Sequence, residues 1–484
     1  MSKFKDPDFY AALDTAWDLL PFRFRRMGER VLLTNVVGEH AWLREDHFSA
    51  LVDGSIEWSA EPMNVLRARH IVRARGDETP LRLLAIKMRT RFERLSEFTG
   101  LHIFVVSLRC EHSCPYCQVS RQSKDKGTFD MSVDVAEKSL DLVFQSPSPA
   151  LKIEFQGGEP LLNFSLIREI VERAKHRNIV EQRELSFVIA TNLALLDDEV
   201  IDYCRQHRIQ ISTSLDGPRD LHNSNRPRPG NNSWELAVEG IRRVREELGA
   251  DQISALMTTT DASLGRVREI VDTYVQLGLR EIFLRPLSPY GFAVKTKSYN
   301  RYDSTRWTKF FREGLDYILE LNASGIPIVE QHSTILLEKM LTNRDGGYVD
   351  LGVLAGIGIG AVVYNYDGYV YASDEARMLA EMGDTSFRLG NVNSDTYADI
   401  FTSDALLNAL DQSFLMSVPM CRDCVFQDFC GADPVFHHAT SGDPVGHKIF
   451  SEFCSRSIQM SEHLLTMYDT DPLARSIFTD WVRA

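Results

Sequence analysis

The sequence has little of what membrane, secreted and nucleic-acid-binding proteins are built from. Its most apolar run, residues 352–364, is too short and too rich in glycine to span a bilayer. Residues 1–21 mix charges throughout instead of forming the apolar core of a secretory signal, which predicts a cytoplasmic location. The 54 Lys and Arg are outnumbered by 68 Asp and Glu, a net charge of −14. We therefore expect neither membrane nor nucleic-acid partners.

Cysteine is also scarce, with eight in 484 residues, and it is unevenly placed. Seven cysteines fall in an N-terminal group of three and a C-terminal group of four. An odd group without a secretion signal argues against disulfides and favours metal binding. Cys204 stands alone beside Ile201 and Tyr203 in a helical pattern, which predicts a buried structural thiol. The length predicts roughly three domains.

The first group is the run from Arg109 to Cys117, Arg-Cys-Glu-His-Ser-Cys-Pro-Tyr-Cys. Its three thiols can wrap one face of an iron–sulfur cluster, because thiolates are the soft ligands that such clusters take. Four irons and three cysteines leave one iron open for chemistry. A zinc site would need a fourth ligand, and the only nearby candidate, His112, lies inside the loop and not at ligand spacing.

This run resembles the CxxxCxΦC signature of the radical S-adenosylmethionine (radical SAM) superfamily, with Tyr116 in the aromatic position. The resemblance implies that Cys110, Cys114 and Cys117 hold a catalytic [4Fe–4S] cluster whose open iron binds the amino and carboxylate groups of SAM. Reductive cleavage of SAM would then yield a 5′-deoxyadenosyl radical that abstracts a hydrogen from the substrate. The alternatives are a chance cysteine cluster or a structural metal loop, and the surrounding sequence argues against both.

Beyond residue 100, strand-like and helical runs alternate, which is typical of parallel βαβ units. The alternation matches the partial (β/α)6 barrel of the radical SAM fold, and the cysteine loop directly follows its first strand. Chemistry in such barrels lies at the carboxyl ends of the strands. The predicted strands are residues 102–108, 152–156, 186–191, 208–215, 252–259 and 280–287. The predicted helices are residues 132–145, 166–176, 197–207, 233–247 and 263–277.

Further candidate residues follow the later strands. Gly157-Gly158-Glu159-Pro160 follows the second strand and resembles the superfamily's GGEP motif, which implies contact with the SAM amino group. Glycines there would let backbone carbonyls approach that group. Polar side chains after strands three and four are candidates for the SAM ribose and carboxylate: Asn192, Ser214, Asp216 and Arg226. For Arg226 a loop salt bridge is an equal alternative, and Arg285 on strand six is better explained as a rim charge.

The first hundred residues read as strand, turn, strand and then helices. Strands are predicted at residues 22–26, 30–34 and 41–43, and helices at residues 45–52, 62–75 and 80–98. The order is similar to a small winged-helix element that binds leader peptides by β-augmentation. A unit that caps the barrel is the alternative.

The second cysteine group, Cys421, Cys424, Cys430 and Cys454, forms a complete four-thiolate set, for which structural zinc is the rival. With the β-hairpin predicted at residues 357–364 and 369–372, the region resembles a SPASM domain, the auxiliary-cluster extension of radical SAM peptide maturases. Cysteines of the full pattern are missing, since Ser373 and Pro434 occupy two of their positions. We therefore expect one auxiliary [4Fe–4S] cluster. Asp433 is better explained as a turn residue than as a substitute ligand.

The predicted domains are an N-terminal α+β unit (1–100), the barrel (101–310), a helical linker (311–345), the SPASM-like domain (346–470) and a tail (471–484). Within the SPASM class, Phe22-Arg-Phe-Arg-Arg, Tyr364-Asn-Tyr-Asp-Gly and Cys430-Gly-Ala-Asp-Pro resemble the His-Xaa-Ser system maturase.

The resemblance implies an enzyme that oxidises a ribosomally made precursor peptide. Of the possible products, we favour a crosslink. Its expected partners are that peptide, a flavodoxin- or ferredoxin-type reductant and, in some systems, a second maturase. Two alternatives stay open: formylglycine formation, as in anaerobic sulfatase maturases, and a non-catalytic scaffold that delivers peptide to another enzyme.

Overall fold

The computed structural model describes residues 15–122, 125–302, 304–342, 344 and 356–483. The chain forms two compact units. The first unit contains residues 1–93, 338–345 and 415–430, and the second contains residues 94–337, 346–414 and 431–484. Within the described part of the chain, no helix combines the length and apolar character needed to cross a membrane.

Sixteen strands are assigned among the described residues. They are β1 (Trp17–Leu19), β2 (Phe22–Met27), β3 (Arg30–Asn35), β4 (His40–Arg44), β5 (Val72–Ala74), β6 (Leu101–Ser107), β7 (Ala150–Gly157), β8 (Glu184–Ala190), β9 (Gln210–Ser214), β10 (Ile253–Thr258), β11 (Glu281–Ile282), β12 (Leu284–Arg285), β13 (Val329–Glu330), β14 (Ala361–Tyr364), β15 (Tyr369–Tyr371) and β16 (Arg388–Asn391).

Nineteen α-helices are assigned in the same ranges. They are α1 (Glu45–Val52), α2 (Glu61–Ala68), α3 (Thr79–Arg91), α4 (Lys126–Phe129), α5 (Val133–Val143), α6 (Phe164–Glu181), α7 (Asp198–His207), α8 (Arg219–Asn225), α9 (Ser233–Glu247), α10 (Val267–Gln276), α11 (Phe292–Lys295), α12 (Ser304–Ala323), α13 (Gln331–Leu341), α14 (Asp374–Ala380), α15 (Tyr397–Phe401), α16 (Asp404–Ser413), α17 (Pro434–Ser441), α18 (Glu452–Thr470) and α19 (Pro472–Arg483).

The first unit is built on the antiparallel sheet β2-β3-β4, with β2 and β4 at its edges. Every second side chain of β3 points into a core formed with α1 and α2. Val31, Leu33 and Leu66 are fully buried in this core. The expected strands and the helix at residues 45–52 are confirmed. The helix predicted over residues 62–75 is wrong at its end. It stops at Ala68, His70 takes a left-handed conformation (φ +50°), and β5 pairs with β1.

Asp428 holds the segment 415–430 within this first unit. Its carboxylate accepts a hydrogen bond from Arg23 (2.9 Å) and another from Arg91 (2.8 Å), and all three side chains are largely buried. Arg91 also donates to the Asp428 carbonyl, and the Thr34 hydroxyl donates to the Val425 carbonyl at 2.8 Å. Paired, hydrogen-bonded charges are the form in which a carboxylate is tolerated at such depth.

The second unit is organised by a nine-stranded sheet in the order β12-β10-β9-β8-β7-β6-β14-β15-β16. Neighbours from β12 to β14 are parallel, and the last two pairings are antiparallel. β6 is buried along almost its whole length, as expected for a parallel strand covered on both faces. Helices α5, α6, α7, α9 and α10 make the crossovers, so the carboxyl ends of β6 to β10 meet at one edge.

Three features of this unit differ from the sequence expectations. The sixth predicted strand is split into β11 and β12, because the Leu284 amide donates to the buried Glu330 carboxylate (3.1 Å) while β11 pairs with β13. The predicted hairpin forms as β14 and β15, but β14 also pairs in parallel with β6 and so extends the barrel sheet. The segment expected as a helical linker contains α12, β13 and α13.

The pairing of Asp428 with Arg23 and Arg91 predicts that loss of either arginine lowers the free energy of unfolding. Arg91→Ala leaves the buried Asp428 with Arg23 as its remaining arginine partner, so urea unfolding should show a loss of about 2 kcal/mol. The matched control is Arg82→Ala on the same helix, where the pair with Glu78 is exposed and its removal should change little. Equal effects of the two variants would contradict the role assigned to Asp428.

Candidate active site

The loop that carries Cys110, Cys114 and Cys117 leaves the carboxyl end of β6 and is fastened by its own backbone. The Ser113 amide donates to the Pro227 carbonyl (2.7 Å), and the Cys117 carbonyl accepts from the Phe292 amide (2.7 Å). Cys114 is buried, and the other two thiols are half-buried. The structure therefore presents all three cysteines on one short loop at the edge where parallel barrels place their chemistry.

Two arginines fix the ends of this loop. Arg109 makes a bidentate pair with Asp130 (2.6 and 2.7 Å) and donates to the Leu162 carbonyl at 2.8 Å. Arg377, completely buried on α14, donates to the Val119 carbonyl at 3.0 Å. Sequence reasoning missed Arg377, because a cation more than 250 residues away gives no local signal of the loop it holds.

The three thiols are better suited to binding a soft metal than to acting as nucleophiles without one. Burial raises the pKa of Cys110, and it raises the pKa of Cys114 to about 12, although Arg226 acts in the opposite direction on Cys114. Both are therefore protonated in the protein alone at neutral pH, and a bound metal would replace those protons. His112 is an unsuitable fourth ligand, since its Nδ1 lies 2.9 Å from Glu111 and its Nε2 lies 3.0 Å from Ser233.

The turn at Gly157 and Gly158 packs directly against the start of the cysteine loop. A Cβ at Gly157, whose φ is +149°, would lie 1.9 Å from the Ser107 carbonyl oxygen. A Cβ at Gly158 would lie 2.4 Å from the Arg109 carbonyl oxygen and 2.6 Å from that of Leu108. The glycines thus have a role that the sequence did not reveal: they let two loop backbones touch.

Glu159 joins the loop after β7 to the loop after β8. Its carboxylate accepts hydrogen bonds from the Thr191 hydroxyl (2.7 Å), the Asn192 amide N–H (2.9 Å) and the Leu161 amide N–H (3.0 Å). Burial, together with the charge of Glu111, raises the pKa of Glu159 to about 8. Pro160 opens the short 3₁₀ turn that follows. Within the described chain, the Glu159 side chain is therefore engaged in holding loops together.

Asp216, at the end of β9, is similarly enclosed. One carboxylate oxygen accepts from the Tyr116 hydroxyl (2.7 Å) and from Arg226 Nε (3.2 Å). The Arg226 guanidinium lies 5.5 Å from the centre of the Tyr116 ring. Arg226 therefore forms the loop ion pair, and its contact with the SAM carboxylate stays a prediction. Ser214 lies half-buried at the end of β9, and the neighbouring buried hydroxyl of Thr213 has no hydrogen-bond partner among the described residues.

The C-terminal cysteines lie in different units. Cys421, Cys424 and Cys430 are half-buried in successive turns of the first unit, where the Cys424 amide donates to the Cys421 carbonyl at 3.0 Å. Cys454 is half-buried in the first turn of α18 in the second unit. Their joint role as cluster ligands stays a prediction.

The positions where the full SPASM pattern would place cysteines start helices here. Ser373 caps α14 by accepting from the Ala376 amide (3.2 Å), and Pro434 is the first residue of α17. Asp433 caps α17 by accepting from the Phe436 amide at 2.8 Å, and burial raises its pKa to about 7. Asp433 is thus engaged as a helix cap.

The close packing of the Gly157–Gly158 turn on the cysteine loop can be tested by substitution. Gly158→Ala should displace the cysteine loop, because its Cβ would overlap two backbone oxygens. We expect it to lose about 1–3 kcal/mol of stability and to bind less iron after anaerobic reconstitution. Gly265→Ala is the matched control, since nothing lies within 4 Å of its added Cβ. Equal iron content in both variants would contradict this packing role.

Comparison with known proteins agrees with the geometry. The sequence profile of the Radical SAM superfamily matches residues 104–283. A cysteine-type anaerobic sulfatase-maturating enzyme of Clostridium perfringens is 22% identical over 350 residues, 68% of this chain and 87% of that protein. An uncharacterized protein of Methanothermobacter thermautotrophicus and the radical SAM cyclopropyl synthase TigE of Paramaledivibacter caminithermalis also match. The matched segments span 69% and 32% of those two proteins, respectively.

Solved structures share the fold. Native anSMEcpe with bound AdoMet and Cp18Cys peptide superposes with a TM-score of 0.63 at 18% identity, over 79% of this chain and 99% of that one. Streptococcus suis SuiB bound to precursor peptide SuiA gives 0.53 at 14% identity, over 90% and 98%. The fold predicted from the sequence, an α/β radical SAM barrel, is confirmed.

Proposed function

We propose that this chain, which contains a radical SAM domain over residues 104–283, is an enzyme that oxidatively modifies a ribosomally made peptide. The observation that carries the proposal is the loop of three cysteines at the carboxyl end of β6, packed on the Gly157–Gly158 turn. A scaffold would have no need for three thiols with an open metal position.

The residues present fit a [4Fe–4S] cluster and SAM. Cys110, Cys114 and Cys117 supply three sulfur ligands and leave one iron free. When bound, the cluster and SAM supply reductive cleavage of a carbon–sulfur bond and a 5′-deoxyadenosyl radical. The chain's own residues would hold that chemistry in place: Arg109 and Arg377 fix the ends of the loop, and the turn from Gly157 to Pro160, Asn192 and Ser214 are the residues proposed to hold SAM.

A peptide substrate is supported by the relatives. The two similar solved structures hold peptides, and the Clostridium relative is named for acting on sulfatases. In the first unit, β2 is an edge strand with exposed Phe24 and Arg25, which suits addition of an extended leader peptide. We favour an oxidative crosslink as the product. Formylglycine formation is the second candidate, favoured by the same Clostridium relative.

The remaining assignments rest on the cysteine spacing and on the sequence resemblance. We propose one auxiliary cluster on Cys421, Cys424, Cys430 and Cys454, which would accept the second electron of the oxidation or position the peptide. A low-potential flavodoxin or ferredoxin would supply the electron that reduces the catalytic cluster for SAM cleavage. Similarity to the His-Xaa-Ser system maturases would make a second maturase a further partner.

The enzymatic proposal predicts SAM cleavage by the protein alone. Anaerobically reconstituted, dithionite-reduced protein should release 5′-deoxyadenosine from SAM, measured by liquid chromatography and mass spectrometry. Cys114→Ala should abolish the product, because all three cysteines are needed to hold a cluster whose fourth iron is open. Cys204→Ala is the matched control, since this buried cysteine lies outside both groups and should leave the rate unchanged. No product from wild-type protein with a verified cluster would refute the enzyme proposal.

A further inference from the structure

Glu111, between Cys110 and Cys114, presents a buried carboxylate oxygen that no group of the described chain hydrogen-bonds. Its Oε1 accepts hydrogen bonds from Asn192 Nδ2 (2.7 Å) and from His112 Nδ1 (2.9 Å). Its Oε2 is buried and has no hydrogen-bond partner among the described residues. An acceptor taken out of water without a donor costs free energy, so such an atom points to a bound group.

A chain of hydrogen bonds fixes the direction of Glu111. The Asp216 amide N–H donates to His222 Nδ1 (3.2 Å), so the ring hydrogen of His222 is on Nε2, which lies 3.1 Å from the Ser233 hydroxyl. Ser233 can then donate to His112 Nε2 at 3.0 Å. This places the His112 hydrogen on Nδ1, facing Glu111.

Asn192 acts on the same carboxylate oxygen as His112, and its Nδ2 lies 3.0 Å from His112 Nδ1. Its Oδ1 accepts from the Ala194 amide (2.9 Å), which orients its Nδ2 toward Glu111. The Asn192 side chain, predicted from the sequence as a direct SAM contact, is thus engaged within the protein. The two donors from Asn192 and His112 both address Oε1, which leaves Oε2 as the free acceptor.

The Glu111 carboxylate lies in the cysteine loop. One of its oxygens, a His112 ring nitrogen and the Cys110 Sγ lie within 4.8 Å of one another. The partner of Oε2 must therefore be a hydrogen-bond donor on a molecule held beside the cysteines. SAM carries donors of the right chemistry, among them its ribose hydroxyls and its ammonium group.

We infer that Glu111 is a SAM-binding residue whose Oε2 accepts a hydrogen bond from a hydroxyl or ammonium group of SAM, with Asn192, His112 and Ser233 as its positioning residues. This inference rests on the proposed function. It assigns a ligand contact to a residue inside the cysteine motif, where the cysteines, His112 and Tyr116 were considered from the sequence and Glu111 was not.

The test is Glu111→Gln in the full, anaerobically reconstituted protein. The two donors that face Oε1 would orient the amide oxygen toward themselves and place the NH₂ group where Oε2 was. A donor would then face the SAM donor, and the Kd for SAM, measured by equilibrium dialysis, should rise about tenfold or more. Glu137→Gln, an exposed and isosteric control on α5, should leave the Kd unchanged.

Separate probes identify the donor. If Oε2 binds a ribose hydroxyl, Glu111→Gln should weaken binding of 5′-deoxyadenosine and leave methionine binding unchanged. If it binds the ammonium group, the pattern should reverse. Either pattern supports the inference. An unchanged Kd for SAM in a variant with full iron content overturns it, whereas wild-type protein that binds no SAM overturns the proposed function itself.

Ser233 provides a second test if Glu111→Gln loads less iron. Ser233→Ala removes the link between His222 and His112 without changing any residue of the cysteine loop, and it should raise the Kd for SAM severalfold at unchanged iron content. Ser233→Thr keeps the hydroxyl and should restore the wild-type Kd. Equal Kd values for Ser233→Ala and wild type would contradict the positioning role.

Discussion

The close backbone packing between the Gly157–Gly158 turn and residues 107–109 is the constraint on which the site depends. Both strands that carry these loops are parallel neighbours, so their loops leave the same edge of the sheet side by side. Any side chain at either glycine would separate them. Without that contact, the cysteine loop would lose one wall and the Glu159 carboxylate would lose its place beside strand β8.

Carboxylates fasten the loops at this edge: Glu159 and Asp216 are buried, and Asp130 is half-buried. Asp130 holds Arg109, Glu159 holds Thr191 and the Asn192 backbone, and Asp216 holds Tyr116 and Arg226. The cost of removing each carboxylate from water is offset by its hydrogen bonds. Glu111 is the exception, because one of its oxygens lacks a partner among the described residues, and it lies between Cys110 and Cys114. A site held this firmly is preorganised for a ligand that must be bound in one geometry.

Much of the fold could be predicted from the sequence because the signals are local. The strands from β6 to β10 and the helix α9 follow directly from apolar runs and their periodicity, and the cysteine spacing identified the metal loop. Long-range pairings gave no such signal. β14 joining β6, Arg377 reaching Val119 and Asp428 binding Arg23 each depend on residues hundreds of positions apart. Asn192 and Asp216 were recognised as polar residues of the site, but the sequence could not show that their side chains bond to the protein.

The most direct test of the central claim is mass spectrometry of a candidate precursor peptide co-expressed with this protein under anaerobic conditions. The account predicts a loss of two hydrogens that is absent when the Cys114→Ala variant replaces the wild-type protein, and fragmentation should locate a new bond between two residues. A single residue converted to an aldehyde would identify formylglycine formation instead. A peptide whose mass and deuterium uptake from heavy water both match those with the inactive variant, across the precursor peptides tested, would contradict the account.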